Sequence, residues 1–397
     1  MDKKTIRDVD VADKRVLARV DFNVPLDERS GQITDDSRIK ATVPTIDYLL
    51  DHNAKLILCS HMGRPKGRIV PGLSLKGVAQ KLSSTLRQPV AFAPDCIGPG
   101  VEAMVSQLKN GDILVLENLR FHPEEERNDP VFAQALAKLG DIYVDDAFGT
   151  AHRAHASIVG ITKYLPSVAG LLLEKEINSL GKVLLDPVRP FGLLLGGAKV
   201  SDKVALIENI LPRVDFIIIG GGMAATFLKA KSYEVGQSLL DGNVDTASYL
   251  IEKAGKNGVK LYLPDDVVVA EMGNDSRGET VTIDKIPPDK RIVDIGALTI
   301  SRFTRILEHC KTVFWNGPMG IYEIPQFAEG TQAMARIISS INATTIIGGG
   351  STAEIVTAMN LNGRMTFVST GGGAALKFLS GEALPGVEAL LDKTPAP

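Results

Sequence analysis

The sequence predicts an α/β protein made of two doubly wound parallel sheets of the Rossmann-like type, joined by a hinge helix. Short apolar runs alternate with amphipathic segments along the whole chain, as they do when helices cover both faces of a parallel sheet. The runs form two sets, separated by a helical pattern at residues 171–180. The chain of 397 residues also exceeds the length at which a single core usually divides.

The predicted strands are the apolar runs of three to five residues. In the first half they are residues 16–20, 55–59, 112–116 and 141–144. In the second half they are residues 191–195, 215–219, 259–263, 313–315, 344–347 and 365–368. No low-complexity linker separates the two sets, so we expect a helical connection. The predicted domains are residues 1–170 and 185–380, with an interdomain helix at 171–184 and a C-terminal segment at 381–397 that can return to the N-terminal domain.

Composition narrows the class of protein. Hydrophobic residues make up 44% and the net charge is -3, which excludes disorder and a general affinity for polyanions. Cys59, Cys96 and Cys310 are too scattered for a disulfide framework and favour a reducing compartment. The polar start of the chain and the absence of a long apolar stretch predict a cytoplasmic protein with no membrane partner.

Polar side chains follow the predicted strands of the first half. In open parallel sheets, ligands bind beyond the carboxyl ends of the strands. Arg64, Arg120 and Arg153 each follow a different strand, and an arginine fork can hold a phosphate or carboxylate at two points. Each one taken singly is more typical of a surface arginine paired with a nearby acid. Their recurrence at successive strand ends favours a convergent anion site.

Glycine clusters follow the strands of the second half. Glycine allows the backbone to approach an oligophosphate closely, although tight strand-to-helix turns also use it for geometry alone. After residues 191–195 the chain continues with two glycines and then Lys199 and Lys203, which we expect on one face of a helix. Free N–H groups, a positive helix end and two lysines predict a phosphate site. The other clusters, each expected to precede a helix, are residues 220–222, 316–318, 348–352 and 371–373.

Three other functions are weaker predictions. The basic residues 61–68 suggest a nucleic-acid contact, but they lack interleaved aromatic residues and the chain is mildly acidic, so no nucleic-acid partner is expected. His152 and His155 lack the carboxylate and histidine spacing of zinc enzymes. Residues 220–225 fit the pattern G-x-G-x-x-A of nicotinamide-dependent oxidoreductases, and a lone match of this kind is often accidental.

The motifs together identify a family. The chain resembles phosphoglycerate kinases over essentially its whole length, with the matching segments in the family's order. These segments are residues 19–25, 60–65, 117–121, 151–155, 196–203, 221–224, 315–320 and 369–373. The resemblance implies a two-lobed enzyme that transfers the acyl phosphate of 1,3-bisphosphoglycerate to Mg-ADP, giving ATP and 3-phosphoglycerate.

The resemblance also implies roles for individual residues. For the triose, it implies that the hydroxyl end is bound by Asp21 and Asn23, the non-transferring phosphate by His61, Arg64, Arg120 and Arg153, and the transferring phosphoryl group by Arg38. For the nucleotide, it implies binding by Gly197, Lys199, Lys203, Gly221, Gly222, Asn316, Pro318, Glu323, Gly349, Gly350, Ser351 and Thr352. Arg38, Lys199 and Gly372 are the implied catalytic residues.

Two positions depart from the family pattern. Ser351 stands where the family usually has an aspartate that contacts magnesium, and Lys377 stands where a glutamate is common. A serine hydroxyl can approach Mg²⁺ without bringing a charge, so Ser351 is the expected metal contact in this chain. These departures keep open a catalytically silent relative that binds ligands or acts as a scaffold. We expect an active enzyme that uses Mg²⁺ with ATP or ADP, and a monomer.

Overall fold

The computed structural model describes residues 2–27, 29–242, 244–271 and 277–393, and it divides the chain into two compact units. The first unit comprises Met1–Asn178 and Ala383–Pro397, and the second comprises Ser179–Glu382. Among the described residues, no helix combines the length and the apolar character needed to cross a membrane.

A six-stranded parallel sheet forms the centre of the first unit, with the strand order β3-β4-β2-β1-β5-β6. Its strands are β1 (Arg15–Arg19), β2 (Lys55–Cys59), β3 (Ala91–Phe92), β4 (Ile113–Val115), β5 (Ile142–Asp145) and β6 (Ser167–Ala169). The register aligns Arg19 with Cys59 on one side and with Asp145 on the other. The loops that follow these three strands therefore leave the sheet at the same edge.

Helices connect these strands. They are α1 (Ser37–Asp51), α2 (Lys76–Leu86), α3 (Pro99–Ser106), α4 (Pro123–Glu126), α5 (Pro130–Ala137) and α6 (Leu171–Leu185). The start of α5 shows how the sequence fixes a helix end. Asp129 accepts hydrogen bonds from the N–H groups of Val131 and Phe132, both at 2.9 Å, and Pro130 occupies the first turn. Residue 178, where the first unit ends, lies within α6.

A second six-stranded parallel sheet forms the centre of the second unit, with the order β15-β14-β13-β7-β8-β9, and a smaller antiparallel sheet has the order β11-β10-β12. The strands are β7 (Phe191–Leu195), β8 (Phe216–Ile219), β9 (Lys260–Tyr262), β10 (Asp266–Ala270), β11 (Glu279–Thr282), β12 (Arg291–Ile295), β13 (Thr312–Asn316), β14 (Thr344–Gly348) and β15 (Phe367–Val368). The helices are α7 (Val204–Ile210), α8 (Met223–Ala230), α9 (Val244–Lys256), α10 (Ala297–Leu307), α11 (Glu329–Ile338), α12 (Gly350–Ala358) and α13 (Gly373–Leu379).

The end of the chain packs with the first unit and contains α14 (Pro385–Glu388). Lys4 N donates to Leu391 O at 2.7 Å, and Leu391 N donates to Ser167 O at 3.0 Å. Lys3 forms an ion pair with Asp392 at 2.7 Å. Backbone and side-chain contacts therefore hold this segment against the edge of the first sheet.

The predicted fold class of two doubly wound parallel sheets is confirmed. The sequence reading was incomplete because it missed the antiparallel sheet of β10, β11 and β12 and the short strands β3 and β6. Strand β11 is largely exposed, so it lacks the apolar run that marks a buried strand. Strands β3 and β6 have two and three residues, too few to show a pattern.

Candidate active-site residues

The carboxyl edge of the first sheet carries a cluster of charged residues that we call the arginine site: Asp21, Asn23, Arg38, His61, Arg120 and Arg153. Asp21 follows β1 and forms an ion pair with Arg38, which lies in the first turn of α1. His61 follows β2, and its Nδ1 lies 4.0 Å from Oδ1 of Asp21. Asp21 and His61 are buried, whereas Arg38 is partly open to solvent.

Positive charge converges on His61. Burial lowers the pKa of His61 well below its usual value, and the positive charges of four arginines lower it further: Arg19, Arg120, Arg38 and Arg153. Arg19 is fully buried at the end of β1, and its Nη2 lies 3.1 Å from Nδ1 of His61. The structure therefore brings together arginines that are up to 134 positions apart in the sequence, as Arg19 and Arg153 show.

Backbone and amide contacts hold the loop after β2. Arg120 Nη1 donates to the carbonyl of Gly63 at 2.8 Å, and Gly63 N donates to Oδ1 of Asn23, also at 2.8 Å. Gly63 has a φ of +59°, which a side chain would strain. Arg120 is buried, and its Nε lies 3.2 Å from Oε1 of Glu126. Burial also lowers the pKa of Arg120.

Arg64 and Arg153 have no acidic partner. Within the described parts of the chain, neither side chain makes a hydrogen bond or an ion pair; Arg64 is exposed and Arg153 is half-buried. These two residues are therefore not surface arginines that pair with a nearby acid. Unpaired guanidinium groups are suited to bind an anionic ligand.

The carboxyl edge of the second sheet carries loops rich in glycine, which we call the glycine-loop site: residues 196–203, 220–222, 316–318, 348–352 and 371–373. Gly197 N donates to the Pro318 carbonyl at 2.8 Å, and Gly221 N donates to the Met319 carbonyl at 2.9 Å. A Cβ on Gly196 would lie 2.1 Å from the Pro318 oxygen. Position 196 therefore requires glycine because the two loop backbones are in contact, whether or not a ligand is bound.

Two lysines differ in their surroundings within this site. Lys203 is buried, its Nζ donates to Oδ1 of Asn316, and burial lowers its pKa to about 8. Lys199 is exposed in the loop before the helix. The expectation of both lysines on one helix face was wrong, because residues Ser201–Lys203 form a 3-10 turn and α7 begins only at Val204. Ser201 N instead donates to Oδ2 of Asp241 at 2.7 Å.

Helices begin at three of the remaining loops, and α8 starts directly after Gly222. Gly349 precedes α12 with a φ of +93°, and Gly372 precedes α13 with a φ of +48°. Thr352 Oγ1 accepts a hydrogen bond of 2.8 Å from Gly317 N and so ties α12 to the loop after β13. The expected helix directly after residues 316–318 was wrong, because the next α-helix begins at Glu329.

The rim of the glycine-loop site is polar. Ser351 is half-buried in the first turn of α12 and shares a hydrogen bond with the hydroxyl of Tyr322. Glu323 is exposed, and Lys377 forms an exposed ion pair with Glu382 at 3.1 Å. Gly222 and Gly350 lie at the starts of α8 and α12.

Sequence reasoning missed two buried residues behind the arginine site, Glu125 and Ser157, and it included Asn118 only as one of the residues after a strand, without a role of its own. Asn118 Nδ2 donates to the carbonyls of Met62 and Leu73 at 2.8 and 2.9 Å and so holds the loop after β2. The position of Asn118 directly after a strand was a usable signal. Nothing in the sequence distinguishes Glu125 from its acidic neighbours.

Comparisons with known proteins agree with these observations. The family model for phosphoglycerate kinase matches residues 6–382. The chain belongs to the phosphoglycerate kinase family. Curated phosphoglycerate kinases from Pelotomaculum thermopropionicum and Moorella thermoacetica are 53% and 52% identical to it, over 99% of this chain and 100% of each relative. As a member of this family, the chain is a kinase.

Solved structures of phosphoglycerate kinases share the fold. The structure from Coxiella burnetii has a TM-score of 0.86 at 38% identity, and that from Pyrococcus horikoshii OT3 has a TM-score of 0.83 at 32% identity. Each match covers 98% of both chains. These matches support a phosphoglycerate kinase and give no support to a silent scaffold protein or to a nicotinamide-dependent oxidoreductase.

Proposed function

We propose that this protein catalyses reversible phosphoryl transfer between 1,3-bisphosphoglycerate and Mg-ADP, giving 3-phosphoglycerate and Mg-ATP, as a step of glycolysis. The observation that carries this proposal is the match of the phosphoglycerate kinase family model to residues 6–382. The geometry of the two sites supports it, since each gathers positive charge or free backbone N–H groups at the carboxyl edge of a parallel sheet.

The triose binds at the arginine site of the first unit. Arg120 and Arg153 of this site hold the phosphate that is not transferred, together with Arg64, which is exposed and follows Gly63 in the loop after β2. Arg64 and Arg153 have no acidic partner that would compete with it. Asp21 and Asn23 bind the hydroxyl end, and Arg38 faces the transferring phosphoryl group. The Asp21–Arg38 ion pair supports this assignment because it places the guanidinium beside the hydroxyl-binding carboxylate.

The nucleotide binds at the glycine-loop site of the second unit. Lys199 and Lys203 meet the phosphates, which lie against the loops at Gly197, Gly221, Gly222, Gly349, Gly350 and Thr352. Asn316 and Pro318 border the nucleotide, and the exposed Glu323 binds the ribose. Gly372, at the start of α13, faces the transferring group. Lys203 keeps its charge at neutral pH because its pKa is about 8.

The reaction requires no general base. In the direction that consumes ATP, the nucleophile is the carboxylate of 3-phosphoglycerate, which is already ionised at neutral pH. Catalysis then rests on in-line positioning and on neutralisation of the charge on the phosphoryl oxygens by Arg38 and Lys199. The phosphoryl group passes directly from donor to acceptor, so the two must be held in line.

The chemistry of the glycine-loop site fits Mg²⁺ bound mainly through the nucleotide. Mg²⁺ prefers hard oxygen ligands and usually binds one or two protein groups together with substrate phosphates and water. Ser351 supplies one neutral hydroxyl oxygen, which is half-buried beside Tyr322. The bound ion would neutralise phosphate charge. Ser351 would hold it, directly or through water, and would bring no charge of its own.

A coupled assay tests the proposed function. The protein is mixed with Mg-ATP and 3-phosphoglycerate, and the acyl phosphate formed is consumed by a dehydrogenase that oxidises NADH. We expect oxidation that depends on both substrates, on magnesium and on the amount of protein. Absence of turnover, with both ligands still bound in a calorimeter, would instead identify a silent relative.

We also propose that the protein acts in the cytoplasm as a monomer. All three cysteines are free and buried, which suits a reducing compartment. Light scattering coupled to gel filtration should give a mass near the 42.5 kDa of one chain. A mass of twice this value would contradict the monomer.

A further inference from the structure

A chain of buried hydrogen bonds runs through the first unit from Glu125 to His61. Ser157 donates its hydroxyl to Oε1 of Glu125 at 2.6 Å and its backbone N–H to Oε2 at 2.9 Å. Arg19 Nε donates to Oγ of Ser157 at 3.1 Å, and Arg19 Nη2 lies 3.1 Å from Nδ1 of His61. Glu125, Ser157 and Arg19 are all fully buried, and His61 is 4% exposed.

The direction of every proton in this chain is fixed by chemistry. A guanidinium group has donors and no acceptor. The Ser157 oxygen therefore accepts from Arg19, and its single hydrogen goes to Glu125. Glu125 accepts on both oxygens, as an ionised carboxylate does. At the other end, Nδ1 of His61 must accept from Arg19 and cannot carry a proton.

We propose that Glu125, acting through Ser157 and Arg19, holds His61 as the neutral ring protonated on Nε2, so that His61 offers the triose site a hydrogen-bond donor and not a positive charge. Nε2 makes no hydrogen bond within the described residues, and it is not among the atoms sealed from solvent without a partner. It is therefore available to an incoming ligand. Glu125 and Ser157 are positioning residues in this account.

The charges that face His61 favour the neutral ring. The positive charges near His61 are those of Arg19, Arg38, Arg120 and Arg153. The nearby negative charge is that of Asp21, whose Oδ1 lies 4.0 Å from Nδ1 of His61. A proton on Nδ1 would oppose the N–H of Arg19 across 3.1 Å. Burial and these arginines lower the pKa of His61 well below its usual value, which agrees with the tautomer that the hydrogen bonds require.

Glu125 is needed because Arg19 is enclosed. A buried cation is costly unless it is paired and fully hydrogen-bonded. Ser157 gives Nε of Arg19 an acceptor, and Nη1 donates to the carbonyl of Val20. Burial raises the pKa of Glu125, while Arg19 and the two hydrogen bonds from Ser157 lower it and so favour the carboxylate. Without Ser157 as an acceptor, Nε of Arg19 would be an unpaired buried donor, and the guanidinium would be free to turn away from His61.

Nitrogen NMR of the free protein tests the proposal directly. The protein is labelled with ¹⁵N-histidine, and the His61 signals are assigned by their absence from His61→Gln. We expect Nδ1 without a proton and Nε2 with one, unchanged between about pH 5 and pH 8. In Ser157→Ala, which keeps the backbone N–H to Glu125, we expect the neutral ring to populate both tautomers, because the hydrogen bond that orients Arg19 is lost.

A matched variant separates positioning from simple loss of stability. Ser167 is also a buried serine of the first unit, and its hydroxyl donates to Leu165 O at 2.7 Å, away from His61. Ser167→Ala should leave the His61 signals unchanged. The proposal is overturned if His61 of the wild-type protein is protonated on Nδ1, if it titrates near pH 6.5, or if Ser157→Ala and Ser167→Ala give the same His61 signals.

Ligand binding supplies a second readout, which rests on the proposed function. Calorimetry should show that Ser157→Ala binds 3-phosphoglycerate on the order of tenfold more weakly, with ADP binding unchanged. Equal loss of both affinities would indicate a general structural defect and would overturn the positioning role. A wild-type protein that transfers no phosphoryl group would contradict the proposed function, while the NMR result on His61 would stand.

Discussion

Replacement of Lys203 by methionine tests whether the glycine-loop site holds a buried cation at the expense of stability. Burial lowers the pKa of Lys203 from 10.5 in the unfolded chain to about 8 in the folded protein. The unfolded chain therefore binds this proton more tightly than the folded protein. The difference opposes folding fully below pH 8 and vanishes as the pH rises to 10.5. Methionine has a similar length and no charge.

The expected magnitude follows from the two pKa values. One pKa unit corresponds to about 1.4 kcal/mol, so the charge of Lys203 destabilises the fold by about 3 kcal/mol at pH 7 and about 1.4 kcal/mol at pH 9.5. Loss of the hydrogen bond to Asn316 offsets about 1–3 kcal/mol of the gain at both pH values. The stability of Lys203→Met relative to the wild-type protein should therefore fall by about 2 kcal/mol between pH 7 and pH 9.5.

Urea unfolding followed by tryptophan fluorescence measures the free energy of unfolding of the second unit of the protein. Trp315 is the single tryptophan of the chain, is fully buried and lies in the second unit with Lys203. Lys199→Met is the matched control, because Lys199 lies in the same loop but is exposed. It should stay within about 0.5 kcal/mol of the wild-type protein at both pH values. A pH-independent effect of Lys203→Met, or the same pH dependence in Lys199→Met, would refute the reasoning.

Three further substitutions test the proposed roles. Arg38→Ala should lower kcat by several orders of magnitude and leave ADP binding nearly intact, because the contact is made chiefly in the transition state; turnover within about tenfold of the wild-type value would exclude that role. Ser351→Asp should lower the magnesium concentration that gives half-maximal activity, since it adds an anionic oxygen; an unchanged or higher requirement would mean that the loop is built around serine. Gly196→Ala should destabilise the second unit by about 3 kcal/mol in urea unfolding, because its Cβ would lie 2.1 Å from the Pro318 oxygen. A Cβ at Gly350 would meet no atom within 4 Å, so Gly350→Ala should be nearly neutral. Equal effects of the two substitutions would contradict the loop contacts.

The parallel sheets could be predicted because their central strands are buried on both faces. Residues 55–59 and 191–195 are near-continuous apolar runs, and the structure gives β2 and β7 the same bounds. The antiparallel sheet was only partly predictable in this way. Residues 267–270 of β10 form an apolar run that the sequence reading overlooked, whereas β11 is largely exposed and has no such run.

Site residues that follow a strand could be predicted from the sequence. Residues whose role depends on being buried could not. Asp21 and His61 follow strands directly, so their positions were visible in the sequence. Glu125 lies between Glu124 and Glu126, and only the folded structure shows that it alone of the three is fully buried. The placement of Lys199 outside a helix depends on the 3-10 turn at Ser201–Lys203, which no periodicity indicates.

Direct transfer of the acyl phosphate to ADP is the central claim, and a labelled phosphoryl group follows it most directly. The protein is mixed with Mg-ADP and 1,3-bisphosphoglycerate that carries ³²P in the acyl phosphate. The label is predicted in the γ-phosphate of ATP, with no more inorganic phosphate than forms by spontaneous hydrolysis without the protein and none transferred when ADP is omitted. Label that stays in the triose, or that the protein releases as inorganic phosphate faster than this control, would contradict the proposed function.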